Sequence, residues 1–149
     1  MTKRSRSGSE TKRLGRELAG RILRGRPGHA AQVIALMGDL GSGKTTFAQG
    51  FARGLGLRRR PTSPTFILVR RHGLKHKYFH NLFHIDAYRI HSPRELTNLG
   101  LKSVFRDPEN IVLVEWADKI RKVLPAVTRW VKFAHGPRAH ERVIQLPRI

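Results

Sequence analysis

A lysine and a threonine that follow a glycine-rich run are the residues of this chain best suited to chemistry. The stretch GDLGSGKTTF begins at Gly38 and has the spacing Gly, four residues, then Gly-Lys-Thr at 43–45. Glycines let the backbone turn so that successive N–H groups point inward and bind the anionic oxygens of a nucleotide. In such loops the lysine reaches the β- and γ-phosphates and the threonine hydroxyl ligates Mg²⁺. The predicted nucleotide contacts are Gly38, Asp39, Leu40, Gly41, Ser42, Gly43, Lys44, Thr45 and Thr46.

Two acidic residues at or near the ends of predicted strands are candidates to complete a magnesium site. The apolar run NIVLVE predicts a buried strand that ends at Glu115, and ligands gather at the carboxyl ends of parallel strands. We therefore interpret Glu115 as a magnesium ligand rather than a solvated acid. Asp86 shares one face of an extended strand with His84. It either supports the metal and the attacking water or pairs with a surface arginine, and the residues alone leave both interpretations open.

The segment PTSPT, residues 61–65, combines prolines with three hydroxyl groups soon after the phosphate loop. In switch-type nucleotidases a loop hydroxyl at this point in the chain contacts the γ-phosphate or its magnesium. Thr62, Ser63 and Thr65 are therefore candidates for that contact. An ordinary Ser/Pro turn is the competing interpretation.

Four histidines follow one another at intervals of four residues, at positions 72, 76, 80 and 84. On a helix this spacing would form a stripe that could bind zinc. Gly73 and the strand-like pattern around it indicate a hairpin instead, so we do not interpret the histidines as a zinc site.

The segments on either side of the phosphate loop are predicted to place it between a strand and a helix. AQVIALM, residues 31–37, reads as a short apolar strand, and the loop follows it directly. Phe47, Phe51 and Leu55 then form an apolar stripe at helical spacing. The order strand, loop, helix is the context that a phosphate loop requires. An amphipathic helix is predicted before the strand, over Thr11–Arg24.

The rest of the chain predicts strands and short helices. FILVRR and NLFHIDAY indicate an antiparallel hairpin, SPRELTNLG and ADKIRKVLP indicate helices, and RWVKFA and ERVIQL indicate a closing hairpin. We expect an α/β fold, a P-loop NTPase-like three-layer sandwich with a mostly parallel sheet and antiparallel hairpin additions. It would form a single domain over residues 11–149, preceded by a flexible basic tail over residues 1–10.

The amino-acid composition limits the kinds of partner and the cellular compartment that can be expected for this chain. The chain has 149 residues and no cysteine, which excludes disulfides and thiolate metal sites. Its 30 Lys and Arg against 10 Asp and Glu give a formal charge of +20, so the basic surface is a candidate for contact with RNA, with a merely solvated surface as the alternative. No apolar run is long enough to span a bilayer, and the N-terminal residues lack the apolar segment of a secretory signal. We expect a cytoplasmic protein without a membrane partner.

Several of these segments together resemble a known family. GDLGSGKTTFAQGFARGLG, SPTFILV, HIDAYR, ELTNLGL and IVLVEW occur in this order and at close spacing. The combination strongly resembles the TsaE (YjeE) family of bacterial ATPases, which help to make threonylcarbamoyladenosine in tRNA. The resemblance extends from Thr11 into the closing hairpin and is far more specific than the phosphate loop alone.

The resemblance implies roles for individual residues by their position. Residues 38–46 would be the ATP phosphate loop. The implied catalytic residues are Lys44, Asp86 and Glu115. The implied Mg²⁺ ligands are Thr45, Asp86 and Glu115. The implied residues of a switch-like segment that contacts the nucleotide are Thr62, Ser63 and Thr65.

The resemblance also implies partners. Members of the family work with TsaD and TsaB, and TsaD transfers the threonylcarbamoyl group to the adenosine beside the anticodon. ATP binding and hydrolysis would reset that complex between rounds, with poor catalysis by the lone subunit, and the basic surface would be a candidate for contact with tRNA. Two other functions remain open from the residues: a small P-loop kinase for a metabolite or nucleoside, and an RNA-binding module with a vestigial nucleotide site.

Overall fold

The computed structural model of the chain describes residues 1–58, 69–92 and 94–149. Within these ranges seven strands form one sheet in the order β1-β7-β6-β2-β5-β4-β3. The strands are β1 (Thr2–Ser5), β2 (Gln32–Met37), β3 (Val69–Gly73), β4 (Asn81–Asp86), β5 (Asn110–Glu115), β6 (Arg129–His135) and β7 (Arg142–Gln145). The helices are α1 (Gly8–Arg24), α2 (Lys44–Gly54), α3 (Arg94–Thr97), α4 (Leu101–Arg106) and a 3₁₀ helix over Ala117–Val123.

The centre of the sheet is parallel and its two edges are antiparallel. β4, β5, β2 and β6 are neighbours that run in the same direction. β3 pairs antiparallel with β4 at one edge, and β7 and β1 continue antiparallel from β6 at the other. All six residues of β5 are buried, as expected for a central strand covered on both faces. This arrangement confirms the predicted α/β fold with antiparallel additions.

Helices cover both faces of the sheet, so the fold has three layers. Alternate side chains of the central strands point to opposite faces, and Ile34 of β2 packs with α1 and α2 while Val33 packs on the other side. That second side is covered by α3, α4 and the 3₁₀ helix. The predicted three-layer sandwich is confirmed.

α1 and α2 pack so closely that their backbones touch. A Cβ atom on Gly50 of α2 would lie 2.0 Å from the backbone oxygen of Lys12, and one on Gly15 of α1 would lie 2.3 Å from the backbone oxygen of Phe47. Only glycine fits at these two positions without moving a helix. The contact holds the first turn of α2 beside the start of α1, which matters for the site described below.

The N-terminal segment differs from the flexible tail predicted for residues 1–10. Residues 2–5 form β1, which pairs with β7 in register from Thr2 opposite Gln145 to Ser5 opposite Arg142. α1 begins at Gly8 rather than at Thr11, and Ser7 caps it by accepting a hydrogen bond from the Glu10 backbone N–H at 3.1 Å. Main-chain pairing at an edge needs no apolar alternation, and charged side chains are usual on edge strands. The sequence Thr-Lys-Arg-Ser therefore shows no strand pattern.

Two further elements differ from the sequence-based expectation, and a third is described only in part. α4 was not predicted, because its six residues offer only one and a half turns of apolar spacing. The predicted helix after Glu115 is a 3₁₀ helix interrupted at Ile120, where φ is −124°. The strand predicted over 66–71 is described only from Val69 onward, and its first part lies outside the described residues. None of the helices in the described part of the chain combines the length and apolar character needed to cross a membrane.

Candidate nucleotide site

The glycine-rich segment forms the turn between β2 and α2. Gly43 caps α2 with φ at 103°, and Gly41 has φ at 73°, a region that side chains with a Cβ rarely adopt. At Gly38 a Cβ would come within 2.6 Å of the backbone oxygen of Phe133 on β6. Gly41 and Gly43 are therefore required by their positive φ, and Gly38 is required because the backbone of β6 lies so close to it. The result is a turn that leads directly into a helix N-terminus, a site that favours anions.

Lys44, the first residue of α2, is buried and folds back over its own loop. Its ammonium donates to the backbone oxygen of Asp39 at 2.7 Å and also contacts the backbone oxygen of Gly38. It lies 3.9 Å from the centre of the Trp116 ring. Burial lowers the pKa of Lys44, and the nearby carboxylates, Glu115 first among them, oppose that shift. The lysine is thus a desolvated cation at the start of a helix.

Glu115, at the end of β5, is held by two side chains at once. The Thr45 hydroxyl donates to its Oε1 at 3.0 Å. The Nε2 of His84 lies 2.7 Å from its Oε2, and the side chains of this pair are only 4% and 7% exposed. The buried carboxylate of Glu115 therefore links Thr45, at the end of the phosphate loop, to His84 on the neighbouring strand β4. The sequence predicts Thr45 and Glu115 as partners in a magnesium site but no role for His84, and the position of His84 two residues before Asp86 is the signal that could have found it.

Asp86 lies beside Glu115, since the two residues are paired in the parallel register of β4 and β5. Its Oδ1 accepts a hydrogen bond from the Tyr88 backbone N–H at 3.0 Å. Burial is the main cause that raises the pKa of Asp86, and the charge of Glu115 raises it further, against the opposing hydrogen bond. Two carboxylates that repel one another at the end of parallel strands are an arrangement that a bound cation would relieve.

These oxygens suit magnesium by type. Mg²⁺ takes oxygen ligands, and in nucleotide sites it uses one or two carboxylates, a hydroxyl, waters and the phosphates of the substrate. Thr45, Glu115 and Asp86 supply a hydroxyl and two carboxylates from adjoining elements. No group of three His, Cys, Asp or Glu side chains that could hold a metal by themselves is found in the described ranges 1–58, 69–92 and 94–149. A cation at this position would therefore need the phosphates of a bound nucleotide as additional ligands.

Trp116 follows Glu115 in an unusual backbone conformation. Its φ is 57°, and it is the one non-glycine residue with a positive φ in the described part of the chain. Such strain in a bulky residue persists only where the surroundings enforce it, often at functional sites. The ring packs against Tyr88, with centres 4.9 Å apart, and against the ammonium of Lys44. Trp116 therefore covers Lys44 of the phosphate loop from the side of β5.

A cleft of about 310 Å³ opens over the phosphate loop. One wall is formed by Trp116 and the start of α2, and the other by residues that sequence analysis did not predict. Those residues come from the start of α1 and from the β6–β7 hairpin; they are Ser7, Gly8, Thr11, His140 and Arg142. No local pattern marks them, because the order of the strands brings them to the loop.

The remaining predicted contacts fall into two groups. Leu40 and Gly41 also line the cleft, although the Leu40 side chain is 75% exposed, whereas Ser42 is buried beneath the loop. The segment with Thr62, Ser63 and Thr65 lies outside the described residues, so its assignment as a switch stays a prediction.

Comparison with known proteins gives one consistent result. The family model described as "Threonylcarbamoyl adenosine biosynthesis protein TsaE" matches residues 5–144. A Haemophilus influenzae protein named "tRNA threonylcarbamoyladenosine biosynthesis protein TsaE" is 37% identical over 95 residues, 64% of this chain. The match spans only 58% of that relative's own length. A Treponema pallidum protein of the same name is 34% identical over 125 residues, covering 83% of this chain and 84% of the relative.

Among solved structures, the chain resembles the crystal structure of Bacillus subtilis YdiB. The TM-score is 0.75 with 31% sequence identity, and the match covers 97% of this chain and 82% of YdiB. The likeness therefore extends over nearly the whole chain.

Proposed function

Because this chain belongs to the TsaE family, we propose that it takes part in making threonylcarbamoyladenosine in tRNA, as a magnesium-dependent ATPase. The substrate would be ATP, and the modified base would be the adenosine beside the anticodon. The cytoplasm, where tRNA is modified, would be its place of action.

One observation supports the nucleotide part of this proposal above the others. Thr45, which follows the lysine of the phosphate loop, donates to the carboxylate of Glu115 at 3.0 Å. The two residues are far apart in the sequence, yet they meet where Mg²⁺ would join a loop threonine to an acidic strand end. A glycine-rich turn without a nucleotide role would have no need of a buried acid at this place.

The side chains would divide the work as follows. Lys44 would leave the loop carbonyls and bind the β- and γ-phosphates, while the backbone N–H groups of the loop and the N-terminus of α2 bind the remaining anionic oxygens. Mg²⁺ would neutralise charge on the phosphates during transfer to water. Asp86, beside Glu115, would orient that water or accept a proton from it.

The biological role would be accessory. We propose that ATP binding and hydrolysis reset a complex of TsaD and TsaB between rounds of modification, and that the subunit alone hydrolyses ATP slowly. Contact of the basic surface with tRNA is part of the same proposal. The formal charge of +20 would make that contact weaken steeply with salt.

Complementation tests the role directly. In a strain depleted of its own TsaE, the wild-type chain should restore threonylcarbamoyladenosine in tRNA, measured by mass spectrometry of digested tRNA. Lys44→Ala should restore none of it, because the variant lacks the ammonium group that would bind the phosphates of ATP. Lys102→Ala, which removes an exposed lysine from α4, is the matched control and should restore it fully. Full rescue by Lys44→Ala would show that nucleotide handling is not the function.

Two assays separate the proposal from other functions. Incubation with labelled ATP and a panel of metabolites and nucleosides should release phosphate to water only, and transfer to a small acceptor would favour a kinase.

Pull-down with TsaD and TsaB should require ATP and should be lost in Glu115→Ala. Binding that persists in that variant and without nucleotide would contradict the resetting role.

A further inference from the structure

The loop between β3 and β4, residues 74–80, carries a positive charge that the nucleotide site does not use. Residues 69–80, which comprise β3 and this loop, contain four Lys and Arg, three His and no Asp or Glu. The side chains of Lys75 and Lys77 are exposed, and none of the ion pairs among the described residues involves them. Glu109 faces only the base of the loop, where its Oε2 lies 3.1 Å from Nδ1 of His80. The two ammonium groups are therefore available to an anionic partner.

Contacts within the β3–β4 loop hold its backbone in place. Leu74 and Phe79 are buried in the core, and the Leu74 backbone N–H donates to the backbone oxygen of His80 at 2.8 Å. The Nδ1 of His76 accepts hydrogen bonds from the backbone N–H groups of Tyr78 and Phe79 at 3.2 and 3.3 Å. The imidazole also stacks on the Phe79 ring, with centres 5.5 Å apart. Because the backbone that carries both lysines is already ordered, a partner would lose little affinity to ordering the loop.

The β3–β4 loop and the phosphate loop lie at opposite ends of the sheet. The β3–β4 loop precedes β4, whereas the phosphate loop follows β2, and both strands run parallel to β5 between them. β4 has six residues, and a strand of that length spans about 20 Å. A molecule that contacts the β3–β4 loop would therefore leave the phosphate loop unobstructed, and its binding can be measured separately from that of a nucleotide.

The kind of charge on the β3–β4 loop favours RNA over an acidic protein as the partner. Lysine is depleted at protein–protein interfaces, where arginine is enriched, and a lysine ammonium is a common point-charge ligand of phosphate. The ammonium of Lys77 lies 5.1 Å from the centre of the Tyr78 ring, a contact that keeps it at the surface of the loop. The formal charge of +20 on the chain adds a long-range field that attracts a polyanion.

We propose that the β3–β4 loop binds the phosphate backbone of tRNA through Lys75 and Lys77. The inference rests on the proposed role in tRNA modification, and it names the part of the basic surface that makes the contact. Phosphate contacts carry no sequence information, so the loop positions the tRNA and does not select it. Each ammonium that meets a phosphate releases counterions, which gives the contact a characteristic dependence on salt.

A salt series tests the contact. Fluorescence anisotropy with a labelled tRNA transcript gives the Kd at several salt concentrations from about 50 to 200 mM. The double variant Lys75→Gln/Lys77→Gln should bind the tRNA about tenfold more weakly than the wild type at the lower concentrations. The slope of log K against log salt should become shallower by roughly 1.5, because each phosphate contact contributes about 0.7–0.9 to that slope.

A second double variant with the same change of charge is the matched control. Lys102→Gln/Lys122→Gln replaces two exposed lysines of α4 and the 3₁₀ helix, which cover the other face of the sheet. It should leave the Kd for tRNA and the salt slope close to those of the wild type. Both double variants should keep the wild-type Kd for ATP with Mg²⁺, and circular dichroism melts on both would verify that the fold is intact.

Three results would overturn the assignment. Equal weakening by the two double variants would show that only the total charge matters, and wild-type tRNA binding by Lys75→Gln/Lys77→Gln would show that the loop makes no contact. If that variant instead loses affinity for poly-L-glutamate while it keeps its affinity for tRNA, the loop binds an acidic protein.

Complementation separates this inference from the proposed function. If the wild type restores threonylcarbamoyladenosine but binds no tRNA at about 50 mM salt, the loop contact is wrong while the proposed function stands. If the wild type fails to restore the modification, the proposed function is wrong, and the two double variants still decide whether the loop binds RNA. A loss of tRNA affinity and of salt slope confined to Lys75→Gln/Lys77→Gln supports the assignment.

Discussion

The buried pair of His84 and Glu115 gives a prediction whose size can be worked out from the structure. Both side chains are almost fully buried, and the imidazole Nε2 is 2.7 Å from the carboxylate. A hydrogen bond to a charged group contributes about 1.5–3 kcal/mol, and removing a buried ring leaves a cavity that costs more. His84→Ala should therefore lower the free energy of unfolding by about 2–4 kcal/mol. His84→Gln keeps a donor and most of the volume and should lose about 1 kcal/mol.

Stability alone would not distinguish a structural histidine from one that positions a metal ligand, so a second measurement is needed. Glu115 would hold Mg²⁺ together with Thr45 and the phosphates, and the residues that hydrogen-bond to metal ligands typically contribute 10–100-fold in metal affinity. In His84→Ala the Mg²⁺ concentration that gives half-maximal ATP binding should rise about tenfold, and His84→Gln should restore most of it. His72→Ala is the matched control. It removes another imidazole, from the neighbouring strand β3, whose Nε2 has no hydrogen-bond partner among the described residues. This variant should leave the Mg²⁺ requirement unchanged.

A double-mutant cycle measures the pair itself. Urea unfolding of wild type, His84→Ala, Glu115→Gln and the double variant, without nucleotide, should give a coupling energy of about 1 kcal/mol or more, since the groups touch. A coupling energy of nearly zero, together with an unchanged Mg²⁺ requirement, would refute the reasoning. In that case His84 would contribute only packing to the core, and the Thr45 hydroxyl alone would orient the Glu115 carboxylate.

Changes at four other positions have outcomes that follow from the structure. Gly50→Ala should destabilise by about 2–3 kcal/mol, because its Cβ would lie 2.0 Å from a backbone oxygen of α1. Gly20→Ala, which meets only the tip of an arginine, should stabilise by about 0.5–1 kcal/mol; thermal unfolding compares the two. Thr45→Ser should keep Mg²⁺-dependent ATP binding, while Thr45→Ala should lose it, as read by calorimetry. Asp86 has a raised pKa in the folded state, so stability should fall as pH rises from its ordinary value of 3.8 through the folded pKa. Asp86→Asn should remove that fall, and without Mg²⁺ it should be the more stable protein at neutral pH; equal pH profiles in urea would contradict this.

The phosphate loop and its acidic partner could be predicted because their signals are local. β5 is an uninterrupted apolar run that ends in an acid, and a strand buried on both faces has that pattern. The glycines before Lys44 are dictated by backbone conformation, which any sequence must satisfy in the same way. The family resemblance added Asp86, whose own surroundings in the sequence left its role open.

The wall of the cleft formed by the start of α1 and the β6–β7 hairpin could not be predicted, because its signals are not local. Ser7 and Gly8 follow the edge strand β1 in a segment whose sequence resembles a basic tail, and β1 is fixed by main-chain bonds rather than by an apolar pattern. Arg142 reaches Gly41 only because β7 lies next to β6, and β6 next to β2. Which strands become neighbours depends on the whole chain, and no window of a few residues contains that information.

The two parts of the sheet therefore bring different elements to one cleft. In the parallel centre the carboxyl ends of β2, β4 and β5 lie side by side, so the phosphate loop, Asp86 and Glu115 must meet there. The antiparallel edge reverses direction through β6 and β7, which returns Arg142 to the loop and carries β1, and with it the start of α1, to the same place. Backbone contact between α1 and α2 then fixes the distance from Gly8 to Thr46. If Mg²⁺ binds at the carboxyl ends of these strands as proposed, variants of Thr45, Asp86 and Glu115 should consequently change the response to Mg²⁺.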